Sequence, residues 1–184
     1  WLFAYRRYLS AGQLAEASAL ASEVQGNATN ALGSIEFSPV TTDRRLGPFA
    51  WNLQTDELVE TVLGGDGEVR ASILPARAAL AAERITVFPP GSYEFYQDLT
   101  YDTVSPRAAV TWELRCGGAR APLWKQRLPA APGRITYRAK LTIPDSCSGQ
   151  EWKMTVSADE TQFPSIVQVG ALRLIEGKAT GGAT

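Results

Sequence analysis

The chain has 184 residues, of which 45% are hydrophobic and 20% charged, and its formal net charge is −1. Length and composition predict one globular domain, or one domain with an appendage. The near-zero charge gives no reason to expect a nucleic acid partner, and the longest apolar runs are too short for a transmembrane helix. The chain contains no histidine and only two cysteines, so neither a structural zinc site nor a histidine general base is expected.

The first 30 residues differ in composition from the rest of the chain. Residues 1–25 are rich in Ala, Leu, Glu and Gln, which favour helix, and Leu2, Tyr5 and Leu9 fall on one helical face. A break at 10–12 divides the run, so we predict a helical hairpin over residues 1–30. An aromatic-rich first helix followed by an Ala-rich second helix resembles the end of a tetratricopeptide repeat. The resemblance implies the last unit of an upstream helical array, and a plain helical hairpin is an equal alternative.

The hairpin carries an aromatic cluster that could contact a partner. Trp1, Phe3, Tyr5 and Tyr8 lie next to two arginines, a composition typical of interface cores. We therefore predict these four residues as a partner interface. The alternative is that they pack on the chain's own β domain.

From residue 31 to 177 the sequence is typical of β structure. Short apolar-alternating segments are separated by Gly, Pro, Asn and Asp clusters, as expected for a sandwich or barrel. One segment, 76–82 (ARAALAA), is predicted as a short helical turn, and the tail 178–184 as disordered. The predicted strands are 34–38, 49–53, 58–63, 68–74, 84–88, 92–101, 108–116, 122–128, 134–143, 151–157 and 166–176.

Two segments show the clearest strand pattern. Residues 107–116 place Val110, Trp112 and Leu114 on one face, and residues 134–143 alternate in the same way over ten positions. A strict period of two is typical of half-buried antiparallel strands. Cys116 ends the first segment and Cys147 follows the second, so we predict a disulfide between them, with two buried free thiols as the alternative. The disulfide would indicate an oxidising compartment: periplasmic, cell-surface or secreted.

Several short segments resemble a known family. FAWNL (49–53), RITVFPPGSYEFYQDLTY (84–101), VTWELRC (110–116) and IVQVGALRLIEG (166–177) are similar to parts of galactose-binding-like jelly-roll β-sandwiches. These domains include many non-catalytic carbohydrate-binding modules. The resemblance implies a mainly β, antiparallel jelly-roll sandwich that binds glycans.

Many domains of that family hold a structural calcium between their first and last strands. Glu36 matches the first-strand position in type, but Gln168 stands where an acidic residue would be expected. Calcium requires several hard oxygen ligands. We therefore expect no metal and no cofactor, with a structural calcium as the alternative.

The aromatic residues divide into predicted core and predicted surface. Trp51, Trp112, Tyr137 and Trp152 are predicted as core from their strand faces. Tyr96 and Trp124 do not fit an apolar face, and Tyr101 ends its strand. These three residues and Asp98 are the predicted glycan-binding residues, with Gln97, Arg138 and Lys140 as further polar contacts.

Catalysis is not expected. Glu94 and Asp98 share a strand face, but their backbones would be about 13 Å apart, too far for a glycosidase-type pair without help from the side chains. No nucleophile elbow, P-loop or dinucleotide fingerprint is present.

The sequence thus favours a non-catalytic glycan-binding module of a bacterial envelope or secreted protein. The alternative function is a structural protein–protein assembly module of an envelope or extracellular complex, centred on the hairpin aromatics. Either way the expected partner is a glycan or another envelope protein, and the chain itself is not an integral membrane segment.

Overall fold

The computed structural model describes residues 34–65, 67–102, 105, 107–117, 119–147, 149–159 and 164–177, with the separate positions 13, 16 and 19. Apart from those three positions, the hairpin predicted over 1–30 lies outside the described residues, as do the predicted interface residues Trp1, Phe3, Tyr5 and Tyr8. The tail 178–184 also lies outside them. Within the described part, no helix has the length and apolar character needed to cross a membrane.

The described residues form two five-stranded antiparallel sheets that face each other. A short 3₁₀ helix, η1 (Arg44–Phe49), precedes the first strand. Sheet 1 contains, in spatial order, β1 (Asn52–Leu53), β4 (Ala78–Thr86), β9 (Gln150–Ser157), β6 (Ala109–Cys116) and β7 (Trp124–Pro129). Sheet 2 contains β2 (Val59–Leu63), β3 (Val69–Ile73), β10 (Ser165–Glu176), β5 (Gly91–Tyr101) and β8 (Arg134–Ile143).

The connections cross repeatedly between the two sheets. Only β2–β3 and β6–β7 are consecutive strands that pair with each other, and every other connection carries the chain to the opposite sheet. This confirms the predicted mainly β, antiparallel sandwich. It also brings β5, β8 and β10, which are distant in sequence, side by side in sheet 2.

A layer of aromatic rings joins the sheets. Trp112 and Trp152 of sheet 1 are fully buried, with ring centroids 6.3 Å apart. Phe95 of sheet 2 approaches Trp112 to 5.9 Å between ring centroids, and Trp51 lies 5.9 Å from Trp112 on another side. These contacts confirm the prediction that Trp51, Trp112 and Trp152 belong to the core. Burial of such large rings is a major source of stability.

Tyr137 is less buried than its strand pattern suggested. It lies on the inner face of β8, which is the edge strand of sheet 2, so no further strand closes over it. Its hydroxyl donates to the Pro129 carbonyl at the end of β7. The ring is therefore half-buried at the open side of the sandwich rather than in its centre.

Two predictions of local structure are wrong, and a third is only partly right because Asn52–Leu53 is the only part of the predicted strand 49–53 that forms a strand. The segment 76–82, predicted as a helical turn, leads into and begins β4, where Ala79, Ala81 and Ala82 are buried. Helix propensity of alanine is a weak preference, which packing between the sheets overrides here. The segment 34–38 pairs with no described strand, although its residues Ile35 and Phe37 are buried in the core.

The predicted disulfide is confirmed. Cys116, the last residue of β6, is bonded to Cys147, with the Cα atoms 5.3 Å apart. Cys147 lies in the connection that leads from β8 in sheet 2 to β9 in sheet 1. The buried Gln150 side chain supports this connection by donating to the carbonyls of Phe88 and Cys147, at 3.2 Å each.

Candidate functional site

The alternation of β5 presents one aromatic ring to solvent. Its inward side chains are apolar except for one glutamine, while Glu94, Tyr96 and Asp98 point outward and are half-buried. Among the residues that the structure describes, Tyr96 is the one aromatic residue that is both partly exposed and on an outward face. We call this surface the Tyr96 face, and it comprises Glu94, Tyr96 and Asp98 of β5, Arg134, Thr136, Arg138 and Lys140 of β8, and Arg173 of β10.

Two arginines flank Tyr96 across the sheet. Tyr96 is the register partner of Arg138 on β8 and of Arg173 on β10, so the three residues form one row over three adjacent strands. The guanidinium carbon of Arg138 lies 5.1 Å from the centroid of the Tyr96 ring. This distance is within the range of a cation–π interaction.

The Tyr96 hydroxyl is fixed by a carboxylate on its own strand. It donates a hydrogen bond to Glu94, two residues away on the same face. The Glu94 carboxylate raises the pKa of Tyr96 because it accepts the phenolic proton, while the charges of Arg138 and Arg173 oppose that shift. Tyr96 is therefore a neutral phenol near pH 7.

Asp98 is held by two donors from β8. The Thr136 hydroxyl and the Arg134 guanidinium both donate to its carboxylate, the latter at 3.0 Å. Partial burial opposes ionisation of Asp98, but these two hydrogen bonds outweigh it and lower the pKa below its usual range. Asp98 is thus an ionised acceptor whose position is fixed by the sheet.

The structure brings only part of the predicted site together. Tyr96, Asp98, Arg138 and Lys140 lie on the Tyr96 face, as expected from their strand positions. Arg173, which completes the row, did not appear in the prediction. It comes from β10, and no local sequence pattern indicates which residue of a distant strand will stand beside Tyr96.

Tyr101 and Gln97 are not surface residues, which corrects the prediction. Both belong to the inward face of β5: Tyr101 is 8% exposed and Gln97 is fully buried. The Tyr101 hydroxyl donates to the Leu128 carbonyl at 3.3 Å, and burial raises the pKa of this phenol. Gln97 donates through its side-chain amide to the Gly170 carbonyl of β10.

Trp124 also packs inward rather than outward. Its ring centroid lies 5.1 Å from that of Phe95 and 6.3 Å from that of Trp152. Because Trp124 begins the edge strand β7, the ring is half-buried at the open side of the sandwich. Trp124 therefore lies at the edge of the hydrophobic core, apart from the Tyr96 face.

The two carboxylates of the Tyr96 face have separate hydrogen-bond partners. Glu94 accepts from Tyr96, whereas Asp98 accepts from Thr136 and Arg134. Among the described residues, no group of three or more His, Cys, Asp or Glu side chains could hold a metal ion. Glu36 and Gln168, the positions considered for calcium, are both exposed.

A cleft lies where η1 and β1 approach β2 and β4. This cleft has a volume of about 680 Å³ and is lined in part by Trp51, Thr61 and Arg84. Burial lowers the pKa of Arg84 to about 9, and its guanidinium carbon lies 5.8 Å from the Trp51 ring centroid. Trp51, Thr61 and Arg84 are each at most 4% exposed, so this wall offers no open aromatic surface.

Comparison with known proteins gives a likeness of fold. No known protein family and no curated protein matches the sequence. The chain resembles the enzymatically active domain of tailspike protein 4 from bacteriophage CBA120, with a TM-score of 0.50 and 11% identity over 78% of this chain and 22% of that one. It also resembles TmCBM61, solved with β-1,4-galactotriose (TM-score 0.47, 10% identity, 77% of this chain and 99% of that one).

A further similar structure is the xylan-binding domain CBM22-1 of Paenibacillus barcinonensis Xyn10C. Its TM-score is 0.44 at 11% identity, over 69% of this chain and 86% of that one. At such identities the likeness concerns the arrangement of strands. The Tyr96 face must therefore be judged on its own residues.

Proposed function

We propose that the sandwich is a non-catalytic glycan-binding module and that the glycan lies on the Tyr96 face. The observation that carries this proposal is the outward, partly exposed ring of Tyr96, surrounded by fixed hydrogen-bonding groups. Sugars combine apolar ring faces with hydroxyl groups, so the face of the Tyr96 ring that Arg138 does not cover, beside charged acceptors and donors, would suit them. An isolated exposed tyrosine would be unremarkable, but here it is flanked by polar side chains from three strands.

The polar groups of the face are preorganised for hydrogen bonding. Asp98 is ionised and held by Thr136 and Arg134, and Arg138 is stacked on the Tyr96 ring. Because the strands fix these side chains, little ordering is needed when a ligand binds. The surface is shallow, however, so we expect weak affinity, with dissociation constants roughly in the micromolar to millimolar range.

The proposal extends to the context of the domain. We assign the strand orders β3–β10–β5–β8 and β4–β9–β6–β7 to a jelly roll, with β2 and β1 added at the edges. A disulfide favours an oxidising compartment, so we place the module in a bacterial envelope or secreted protein. The division into a hairpin (1–30), a sandwich (31–177) and a tail (178–184) belongs to the same proposal.

The test is binding of the wild-type domain to a glycan array, followed by titration of the positive glycans against variants. Tyr96→Ala should weaken binding by at least about tenfold, whereas Tyr96→Phe keeps the ring and should retain most of the affinity. Thr111→Ala, on the outward face of sheet 1, is the matched control and should change nothing. Failure of every glycan to bind, or equal binding by Tyr96→Ala, would contradict the proposal.

A further inference from the structure

The Tyr96 face carries more cationic than acidic side chains, and three of its cations form no ion pair with any residue that the structure describes. Arg138, Lys140 and Arg173 are exposed, and none of them forms an ion pair with an acidic side chain among the described residues. Lys140 is the register partner of Glu94 on β5, yet the Glu94 carboxylate is bonded to the Tyr96 hydroxyl instead. Three positive charges therefore surround the outward ring.

The acids of this region are directed to other partners. Asp98 is paired with Arg134 at 3.0 Å, and Glu68 reaches the same arginine at 3.6 Å. Two carboxylates thus converge on one guanidinium. Arg138 and Arg173 stand on either side of Tyr96 and form no ion pair within the described part of the chain, although the charge of Arg173 also helps to lower the pKa of Asp98. The excess of positive charge is local, because the whole chain has a formal net charge of −1.

The cations of the Tyr96 face lie at unpaired strand edges. Lys and Arg on an edge strand commonly prevent aggregation by edge-to-edge pairing, and Arg138 and Lys140 lie on the edge strand β8. Arg173 lies on β10 beyond Val169, the last residue of β10 that pairs with β3, so at Arg173 only the β5 side is paired. A purely protective role predicts no difference between acidic and neutral ligands, so titration with ligands of both kinds separates the two roles.

From this arrangement we infer that the Tyr96 face selects acidic glycans, whose sugars carry carboxylates or sulfate esters, over neutral ones. Adjacent strands are about 4.8 Å apart, so the backbones of Arg138 and Arg173 are separated by roughly 10 Å across the row. A sugar unit over Tyr96 would have a cation on each side. The guanidinium fork matches the geometry of a carboxylate, and its charge also attracts sulfate. This inference rests on the proposed glycan-binding function.

The experiment compares ligands that differ in charge but share a backbone. Isothermal titration calorimetry of the wild-type chain would use polygalacturonate against its methyl ester, and dextran sulfate against dextran. We expect at least about tenfold tighter binding to one or both acidic members, falling as salt is raised from about 20 to 200 mM. Preference for polygalacturonate identifies carboxylate as the recognised group, and preference for dextran sulfate identifies sulfate.

Two double variants with the same change of charge supply the control. Arg138→Ala with Arg173→Ala removes the two flanking cations, and Lys125→Ala with Lys153→Ala removes two cations from the outward face of sheet 1. The first pair should abolish the preference for acidic glycans, and the second should leave it intact. Thermal melts establish that both variants are folded.

The failures can be told apart. Equal binding of the acidic and neutral members, or an unchanged preference in the Arg138/Arg173 variant, would overturn this inference and leave the proposed function standing. If neither these polysaccharides nor any glycan on the array binds, the proposed function itself fails. Equally tight binding of polyglutamate would indicate a general polyanion or acidic-protein surface, which also overturns the inference.

Discussion

The two outward faces of the sandwich are built by the same alternation but differ in how their charges are satisfied. On sheet 1, Glu113 pairs with Arg115 of its own strand and with Lys125 of β7, and Glu151 pairs with Lys153. On sheet 2, Tyr96 stands between arginines that have no acidic partner within the described residues. The first face is neutralised within the chain, whereas the second retains charge that a ligand could neutralise.

This difference shows which outward residues of the sandwich are available to bind a ligand. Strand periodicity decides only which side chains reach solvent. Whether an outward residue is available to a ligand depends on its neighbours across the sheet, since a paired charge has already satisfied its main interaction. Glu113 and Asp98 are both paired carboxylates, so the two faces differ in the cations that remain: Glu113 pairs with Arg115 and Lys125, whereas the two arginines beside Tyr96 form no ion pair with a described residue.

The largest effect on stability is expected at Trp112, because its side chain packs between the two sheets. Its fully buried ring contacts Phe95 of sheet 2 as well as Trp51 and Trp152. Trp112→Ala should therefore reduce the free energy of unfolding by roughly 3–5 kcal/mol, measured by chemical denaturation. An unchanged denaturation midpoint would show that the sheets do not share this core layer.

The second prediction concerns the link between sheets. The disulfide spans a sequence separation of 31 residues and fixes the connection from sheet 2 to β9 of sheet 1. Replacing both Cys116 and Cys147 with Ala should lower the free energy of unfolding by roughly 2–4 kcal/mol, chiefly because the unfolded chain gains freedom. Wild-type protein under reducing conditions should show a comparable loss, and titration of two free thiols in non-reduced protein would refute the bond.

The parts of the fold that the sequence predicted are those with strong local patterns. The strict alternation of β6 and β8 was sufficient to predict both strands, and Cys116, which ends β6, was correctly paired with Cys147, which follows β8. The start of β4 was missed because its alanines favour helix when considered alone. Their burial between the sheets depends on strands that are distant in sequence.

The candidate site was only partly predictable for related reasons. Gln97 was assigned to the surface because of its polar side chain and Tyr101 because it ends its strand, although the alternation of β5 places both inward. The cost of burying the Gln97 amide is offset by its hydrogen bond to the Gly170 carbonyl, and Gly170 belongs to the distant strand β10. Arg173 was missed because its register with Tyr96 depends on the irregularity between Gly170 and Arg173, which has no recognisable local signal.

A third prediction concerns Gly170, which lies at the boundary of the Tyr96 face. A Cβ atom at Gly170 would lie 2.7 Å from the Glu68 carboxylate, so Gly170→Ala must displace the side chain that reaches Arg134. We expect the free energy of unfolding to fall by less than about 1 kcal/mol, because the displaced group is the end of a flexible, partly exposed side chain. Gly65→Ala is the matched control, since no atom lies within 4 Å of its Cβ position, and an equal loss in both variants would contradict the steric argument.

The smallest expected effect compares one carboxylate from each face. Hydrogen bonds outweigh burial at both Asp98 and Glu113 and lower their pKa values in the folded protein. Each carboxylate therefore contributes stability above its unfolded pKa, about 3.9 for Asp and 4.3 for Glu, and this contribution is lost as the pH falls through the folded value. Asp98→Asn and Glu113→Gln should each cost up to about 1 kcal/mol at pH 7 and progressively less below about pH 4.

The Glu113→Gln variant also tests whether positive charge without an outward aromatic ring is enough for ligand binding. Glu113→Gln leaves Arg115 and Lys125 without their shared acid and so gives sheet 1 an excess of positive charge. That face still has no outward aromatic ring among the described residues, so we expect no new glycan binding there. The test adds Glu113→Gln to a chain in which Arg138 and Arg173 are already replaced by Ala. If this triple variant regained binding of an acidic glycan, positive charge alone would be sufficient for binding. The ring of Tyr96 would then lose its assigned role.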